Sequence, residues 1–104
     1  MIYKAGAAII VCGVPAKAHK NFVEYAVIDS TLASQNILLA AEAIGLGAIW
    51  TAAYPYPDRM ESVKSILNIP SDVIPLNVIP IGHPTGEDVS KKKFDPKKIH
   101  SETW

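Results

Sequence analysis

Two stretches of this chain have the residue types and spacing for chemistry. The first is Trp50, Thr51, Ala52 and Ala53, one large aromatic and then small residues, just after Gly45-Leu46-Gly47. Small side chains let a flat ligand lie against the main chain and use its N–H groups as donors. The same four residues also suit a strand end that buries a tryptophan. The second stretch is Lys91-Lys92-Lys93. Alternate residues of an extended chain point the same way, so Lys91 and Lys93 could clamp a phosphate. A solvated charge run is the plainer reading of three lysines. Gly45-Leu46-Gly47 by itself reads as a helix end with a close packing contact.

What is missing narrows the chemistry further. His19, His83 and His100 are far apart, with no cysteine or carboxylate at ligand spacing, so no metal site is expected. Cys12 lies inside an apolar run and reads as a small buried hydrophobe without a nucleophilic role. No serine sits in a nucleophile-elbow pattern and no P-loop is present. No side chain offers itself as a catalytic acid or base. A lone cysteine cannot form an internal disulfide, and a reduced, cytoplasmic setting is the simplest expectation. Ten basic residues balance ten acidic ones, so neither nucleic acid nor an anionic membrane is a natural partner. No stretch approaches the ~18 apolar residues of a membrane span. With 104 residues, 49% hydrophobic and 19% charged, the chain is expected to form one globular domain over residues 1–104.

The elements that must position these residues begin with residues 22–44, free of proline and glycine and long enough for about six helical turns. Tyr25, Ile28, Leu32, Leu39 and Ala43 share one face of that helix. Ala26, Ala33, Ile37, Ala40 and Ile44 line the neighbouring face. A helix apolar over most of its circumference is expected to be buried over most of it. Asn21 and Glu24 read as a capping-box start, and Gly45 suits the left-handed position past the end. Residues 7–14 are a continuous apolar run, expected to be a strand covered on both faces. Residues 48–51 read as a short strand, and Tyr54-Pro55-Tyr56-Pro57 as extended chain. Asp58 and Glu61 read as the cap of a second helix with Met60, Val63, Ile66 and Leu67 as its buried stripe, ending near Asn68. Residues 73–81 form another strand, where Pro75 and Pro80 argue for an edge or a bulge. The order strand, helix, strand, helix, strand, tail predicts an α+β layered domain. Three strands and a short helix cannot cover the long helix, so the chain is expected to dimerise through it or to lack part of its fold.

Asp29, Ser34-Gln35-Asn36-Ile37-Leu38-Leu39-Ala40-Ala41 and Gly45-Leu46-Gly47-Ala48-Ile49-Trp50 together resemble the nitroreductase family of FMN-dependent oxidoreductases. Ile79-Pro80-Ile81-Gly82-His83-Pro84, followed by Lys91-Lys92-Lys93, is similar to that family's closing strand and phosphate-binding tail. The resemblance spans residues 7–94. It implies a nitroreductase-like sheet with a long core helix, an obligate homodimer and FMN as cofactor. NAD(P)H would be the electron donor, and a nitroaromatic, quinone or similar small molecule the acceptor. It places the backbone of Trp50, Thr51, Ala52 and Ala53 beside the isoalloxazine ring, donating towards its N5 edge. Lys91 and Lys93 would lie on the FMN phosphate, Lys93 standing where arginine is commoner, which weakens bidentate recognition. The family's N-terminal helix with its Arg-x-Ser type motif has no counterpart here, so the chain is expected to be the C-terminal half of the fold. The competing expectation is a non-catalytic remnant, a helix-mediated dimerisation domain. A weaker third is an unrelated small α/β nucleotide-binding module.

Overall fold

A computed structural model of the chain describes residues 4–87 and 89–104. Of the expected domain 1–104, residues 1–3 and Asp88 lie outside the described residues. Four strands form one antiparallel sheet around β4 (Ile74–Gly82). On one side β4 pairs with β1 (Ala7–Gly13), from Ala7 opposite Ile81 to Gly13 opposite Ile74. On the other side lie two short strands in sequence: β2 (Gly47–Ala48), with Gly47 opposite Gly82, and β3 (Thr51–Ala52), with Ala52 opposite Asn77. The helix α1 (Val23–Ala43) packs on β1, β2 and β4, and α2 (Pro57–Leu67) packs on β4. The expected mixed architecture and element order are found, with residues 48–51 divided between two strands.

β4 is central, where its two prolines argued for an edge or a bulge. The bulge is present: the register slips between Val11 and Cys12, opposite Asn77 and Pro75. The centre position is tolerated because of where Pro80 points. Ile81 accepts from Gly6 N–H on the β1 side, and Leu76 accepts from Ala53 N–H on the β3 side. Alternation therefore turns the nitrogen of Pro80 towards β2 and β3. There the ladder is already broken, at Ile49 and Trp50, so the missing N–H costs no pairing.

Flanked by half-buried Val27, Ile37 and Leu38, only a narrow stripe of α1 is fully buried: Ala26, Ser30, Ser34 and Ala41. Each is small, and the approach is close. A Cβ on Gly13 would stand 3.0 Å from Ser30 Oγ and 3.1 Å from the Ala26 carbonyl oxygen. The serine hydroxyls are satisfied inside the helix, Ser30 donating to Ala26 O at 2.7 Å and Ser34 to Ser30 O at 2.8 Å. Asn77 Nδ2 donates to Ser34 Oγ at 2.9 Å, tying β4 to the helix through two fully buried side chains. Within the chain, then, α1 is buried along one stripe and not over most of its circumference.

Several local expectations change. Phe22 is the N-cap of α1 and makes no side-chain cap bond, because Lys20 and Asn21 both adopt positive φ and Asn21 closes a short 3-10 turn. At the other end Gly45 has φ +79, Gly45 N–H reaches Glu42 O and Leu46 N–H reaches Ala41 O. This paired pattern is the Schellman closure expected of glycine there. α2 starts at Pro57, preset for the first helical position, so Asp58 lies inside the helix and caps nothing. Residues 53–56 form a tight turn with a cis Tyr54–Pro55 bond, Tyr56 N–H reaching Ala53 O at 2.9 Å. Met60 and Val63 are half-buried, Ile66 and Leu67 exposed. α2 ends with Asn68 in the left-handed region. Among the described residues β1 is covered only towards Gly13, where α1 meets it, and Ala7, Ala8 and Ile9 are exposed, so the expected double covering is not found there.

The molecule is open for its length. Its radius of gyration is 16.3 Å, against about 13 Å for a compact domain of this size. Its accessible surface is 8229 Å², against roughly 5,700 Å² for a folded monomer of this mass.

Candidate functional site

Residues 50–53 cross the open side of the sheet. Trp50 lies in the break between β2 and β3 and is half-buried, Thr51 and Ala52 are half-buried, and Ala53 is fully buried. Besides the pairing of Thr51 with Val78, three bonds fasten the segment to β4. Thr51 Oγ1 donates to Val78 O at 2.6 Å, and the N–H groups of Ala53 and Tyr54 both reach Leu76 O at 3.0 Å. The N–H of Ala53 is thus spent within the sheet. Ala52 is different: strand alternation turns its backbone groups away from β4. Its carbonyl accepts from Arg59 Nη1 at 3.2 Å on that outer side, and its N–H shares the direction. Of β3, Ala52 is therefore the residue whose main chain faces away from the sheet, with Arg59 on that side.

An open cleft of about 390 Å³ lies at the β2 end of the sheet, and none of residues 50–53 lines it. It is lined by Gly47, Ala48 and Ile49 on one side and Pro80, Gly82 and His83 on the other. Lys91 and Lys93 are exposed and stand outside any helix or strand, beyond the end of β4. Among the described residues no hydrogen bond or ion pair draws them to residues 50–53. The nearby 3-10 turn, Pro96–Lys98, is closed by the Asp95 carboxylate, which accepts from Lys97 N–H at 3.0 Å.

Cys12 is half-buried, and burial pushes its thiol above the usual range, against a smaller downward pull from Lys64. That favours the protonated thiol over a nucleophilic thiolate. Among the described residues no group of three or more His, Cys, Asp or Glu is placed to hold a metal ion, and no helix is long and apolar enough to cross a membrane.

Sequence reasoning treated residues 50–53 as one donor run and missed that the pleat divides it. It also passed over Arg59 and the Ser34–Asn77 pair. An asparagine between Leu76 and Val78, and two serines four residues apart on an apolar helix, are the signals that could have found that pair.

Residues 1–83 match the family model described as the nitroreductase family. A Methanothermobacter thermautotrophicus protein, provisionally named an NADH dehydrogenase/NAD(P)H nitroreductase, is 44% identical over 104 residues, 100% of this chain and 53% of its own length. The Bacillus subtilis protein named FMN reductase (NADPH) is 31% identical over 75 residues, 72% of this chain and 29% of its own. A Bacteroides thetaiotaomicron crystal structure, under the same provisional name as the first, superposes with a TM-score of 0.85 at 49% identity, covering 96% of this chain and 56% of its own. The chain spans about half the length of the first of these curated relatives and of the crystal structure.

Proposed function

The chain belongs to the nitroreductase family, and on that footing we propose that it is an FMN-binding oxidoreductase domain, or the C-terminal half of one. It would pass electrons from NAD(P)H through flavin to a nitroaromatic, quinone or similar acceptor. The observation that carries this reading is the outward-facing main chain of Ala52 on a strand of small residues. The donor set fits a flat heteroaromatic edge: the Ala52 N–H would face it beside the Arg59 guanidinium, on a strand fastened from behind. Ala52 N–H would meet the ring, Trp50, Thr51 and Ala53 would fix the strand that presents it, and Lys91 and Lys93 would hold the phosphate. Bound FMN would supply hydride acceptance and onward electron transfer, and the protein's part is to bind, orient and tune it. That division of labour agrees with the absence of a catalytic acid or base in the sequence. The Bacillus subtilis relative's name, FMN reductase (NADPH), supports both the cofactor and the donor.

A homodimer built on the outer face of α1 belongs to the same proposal. Tyr25, Ile28, Leu32 and Leu39 are exposed on that face. The chain's surface, 8229 Å², exceeds that of a monomer of its mass by roughly 2,500 Å², and the outer face of α1 contributes part of that excess. A cytoplasmic setting fits the single unpaired Cys12. The same exposed face favours the second reading, a dimerisation remnant without flavin.

The absorbance spectrum of the purified chain separates the two. A flavin spectrum supports the oxidoreductase, and a colourless protein that still dimerises supports the remnant. Where flavin binds, changing Lys91 and Lys93 to Gln is expected to cost about 1.5–3 kcal/mol of affinity, the worth of a sheltered charge-assisted contact. Changing Lys97 and Lys98 should cost little. Equal affinities in a flavin fluorescence titration would remove the phosphate role from the tail.

A further inference from the structure

Arg59 is the only arginine in the chain, and it reaches back from the first turn of α2 to the candidate site. Its guanidinium carbon lies 4.3 Å from the centroid of the Tyr56 ring, while Nη1 donates to Ala52 O at 3.2 Å. A planar guanidinium can stack on a ring face and donate in its own plane at the same time, which a lysine ammonium cannot do. Every other named hold on this segment comes from the sheet side: Val78 O holds the Thr51 hydroxyl, and Leu76 O holds the N–H groups of Ala53 and Tyr54. Arg59 is the hold on the outer side, on the one residue of β3 that faces away from β4. A strand of two residues has little pairing of its own to set its orientation.

We propose that Arg59 is a positioning residue for the cofactor edge. Its guanidinium, braced on Tyr56, holds the carbonyl side of Ala52, the residue whose N–H would face the flavin, and sets a positive charge beside that edge. This inference rests on the flavin reading above. Two consequences follow. Removing the clamp leaves Ala52 held from the sheet side alone, by the Ala53 N–H on Leu76 O, which loosens its presentation and weakens binding. Removing the charge disfavours the reduced, more negative flavin and moves its midpoint potential to more negative values.

The test compares the full chain with R59Q, R59K and, as a control on the same helix, K64Q. FMN affinity is read by fluorescence titration and the midpoint potential of bound FMN by dye-coupled reduction. The expected result is several-fold weaker binding and a more negative potential for R59Q. R59K should recover the potential but not the affinity, and K64Q should behave as the parent. Parent-like affinity and potential in R59Q, or equal losses in R59Q and K64Q, overturn the inference and leave the flavin reading intact. If R59Q does not fold, R59K decides, and unchanged affinity there overturns it. A parent chain that binds no FMN overturns the flavin reading, and this inference falls with it.

Discussion

The two faces of α1 invert the usual arrangement of an amphipathic helix. The face against the sheet is small and partly polar, with Ala26, Ser30, Ser34 and Ala41. The opposite face carries the bulk of the apolar surface: Ile28 and Leu32 are 52% and 61% exposed, and Leu39 is 59% exposed. The inner face trades hydrophobic burial for proximity, bringing the helix backbone within reach of Gly13 and two hydrogen-bonded polar groups into the core. The outer face has the opposite character: much apolar area, with Ile28, Leu32 and Leu39 left exposed by the described residues. A helix of this kind belongs to two packings at once, a close one within the chain and a broad one outside it. The largest apolar stripe in a sequence therefore need not be the one that meets its own sheet.

The sharpest way to break this comparison is to charge the outer face. Leu32→Glu or Leu39→Glu should abolish assembly. Each removes about 1.5–3 kcal/mol of burial and adds the cost of an unpaired charge in an apolar interface. The helix should still dock on its sheet, since neither side chain touches it. Analytical ultracentrifugation with circular dichroism checks both halves. A folded monomer from the unmodified chain at micromolar concentration would sink the dimer proposal, leaving the outer face without a function.

How far the sequence reached follows from the same contrast. Periodicity correctly grouped Tyr25, Ile28, Leu32 and Leu39 on one face, because hydrophobic spacing reports any burial, inside the chain or outside it. It put Ala26 on the neighbouring face but could not say which side of the helix meets the sheet, since Ser30 and Ser34 give no apolar signal. The C-terminal ends of both helices were legible at Gly45 and Asn68, where backbone conformation restricts the residue type. The N-terminal ends were not. Asn21 and Asp58 have cap-forming side chains, but positive φ at Asn21 and Pro57 at the first helical position moved the boundary. Residues 48–51 were legible as strand, but neither the break at Ile49 and Trp50 nor the alternation that spends Ala53 N–H and turns Ala52 outward. That depends on pairing with β4, more than twenty residues away in the sequence.

The inner face has two tests of decreasing size. Gly13→Val should destabilise the chain by about 1–3 kcal/mol, the range for forcing volume into a close contact, because its Cβ would press on Ala26 O and Ser30 Oγ. Ser34→Ala should cost roughly 1 kcal/mol by leaving Asn77 Nδ2 unpaired in the core. Asn77 Oδ1 already lacks a partner among the described residues. Replacing both members, Ser34→Ala with Asn77→Leu, should therefore cost less than the sum of the single changes. Urea unfolding of the four proteins checks this, and strictly additive losses would show that the pair does not act as a unit.

The smallest expected effect lies at Cys12, which borders a groove shared with Ala26, Ser30 and Ala33 on the helix. Burial raises its thiol pKa in the folded chain, so folding favours the protonated form. The sign follows directly. Below the ordinary thiol range both states are protonated and the group's contribution is fully present. As pH rises through that range the unfolded chain loses its proton first, and stability falls until the folded thiol titrates as well. The parent should lose stability with rising pH relative to Cys12→Ser, which has no thiol to titrate. Comparing their urea midpoints at pH 7 and pH 9.5 isolates the thiol from the tyrosines and lysines that both proteins share. A difference that does not change between the two pH values would mean Cys12 feels no burial in solution. Thiol-reagent labelling of the folded chain as fast as a free peptide would mean the same, placing the end of β1 outside the close packing that distinguishes the inner face of α1.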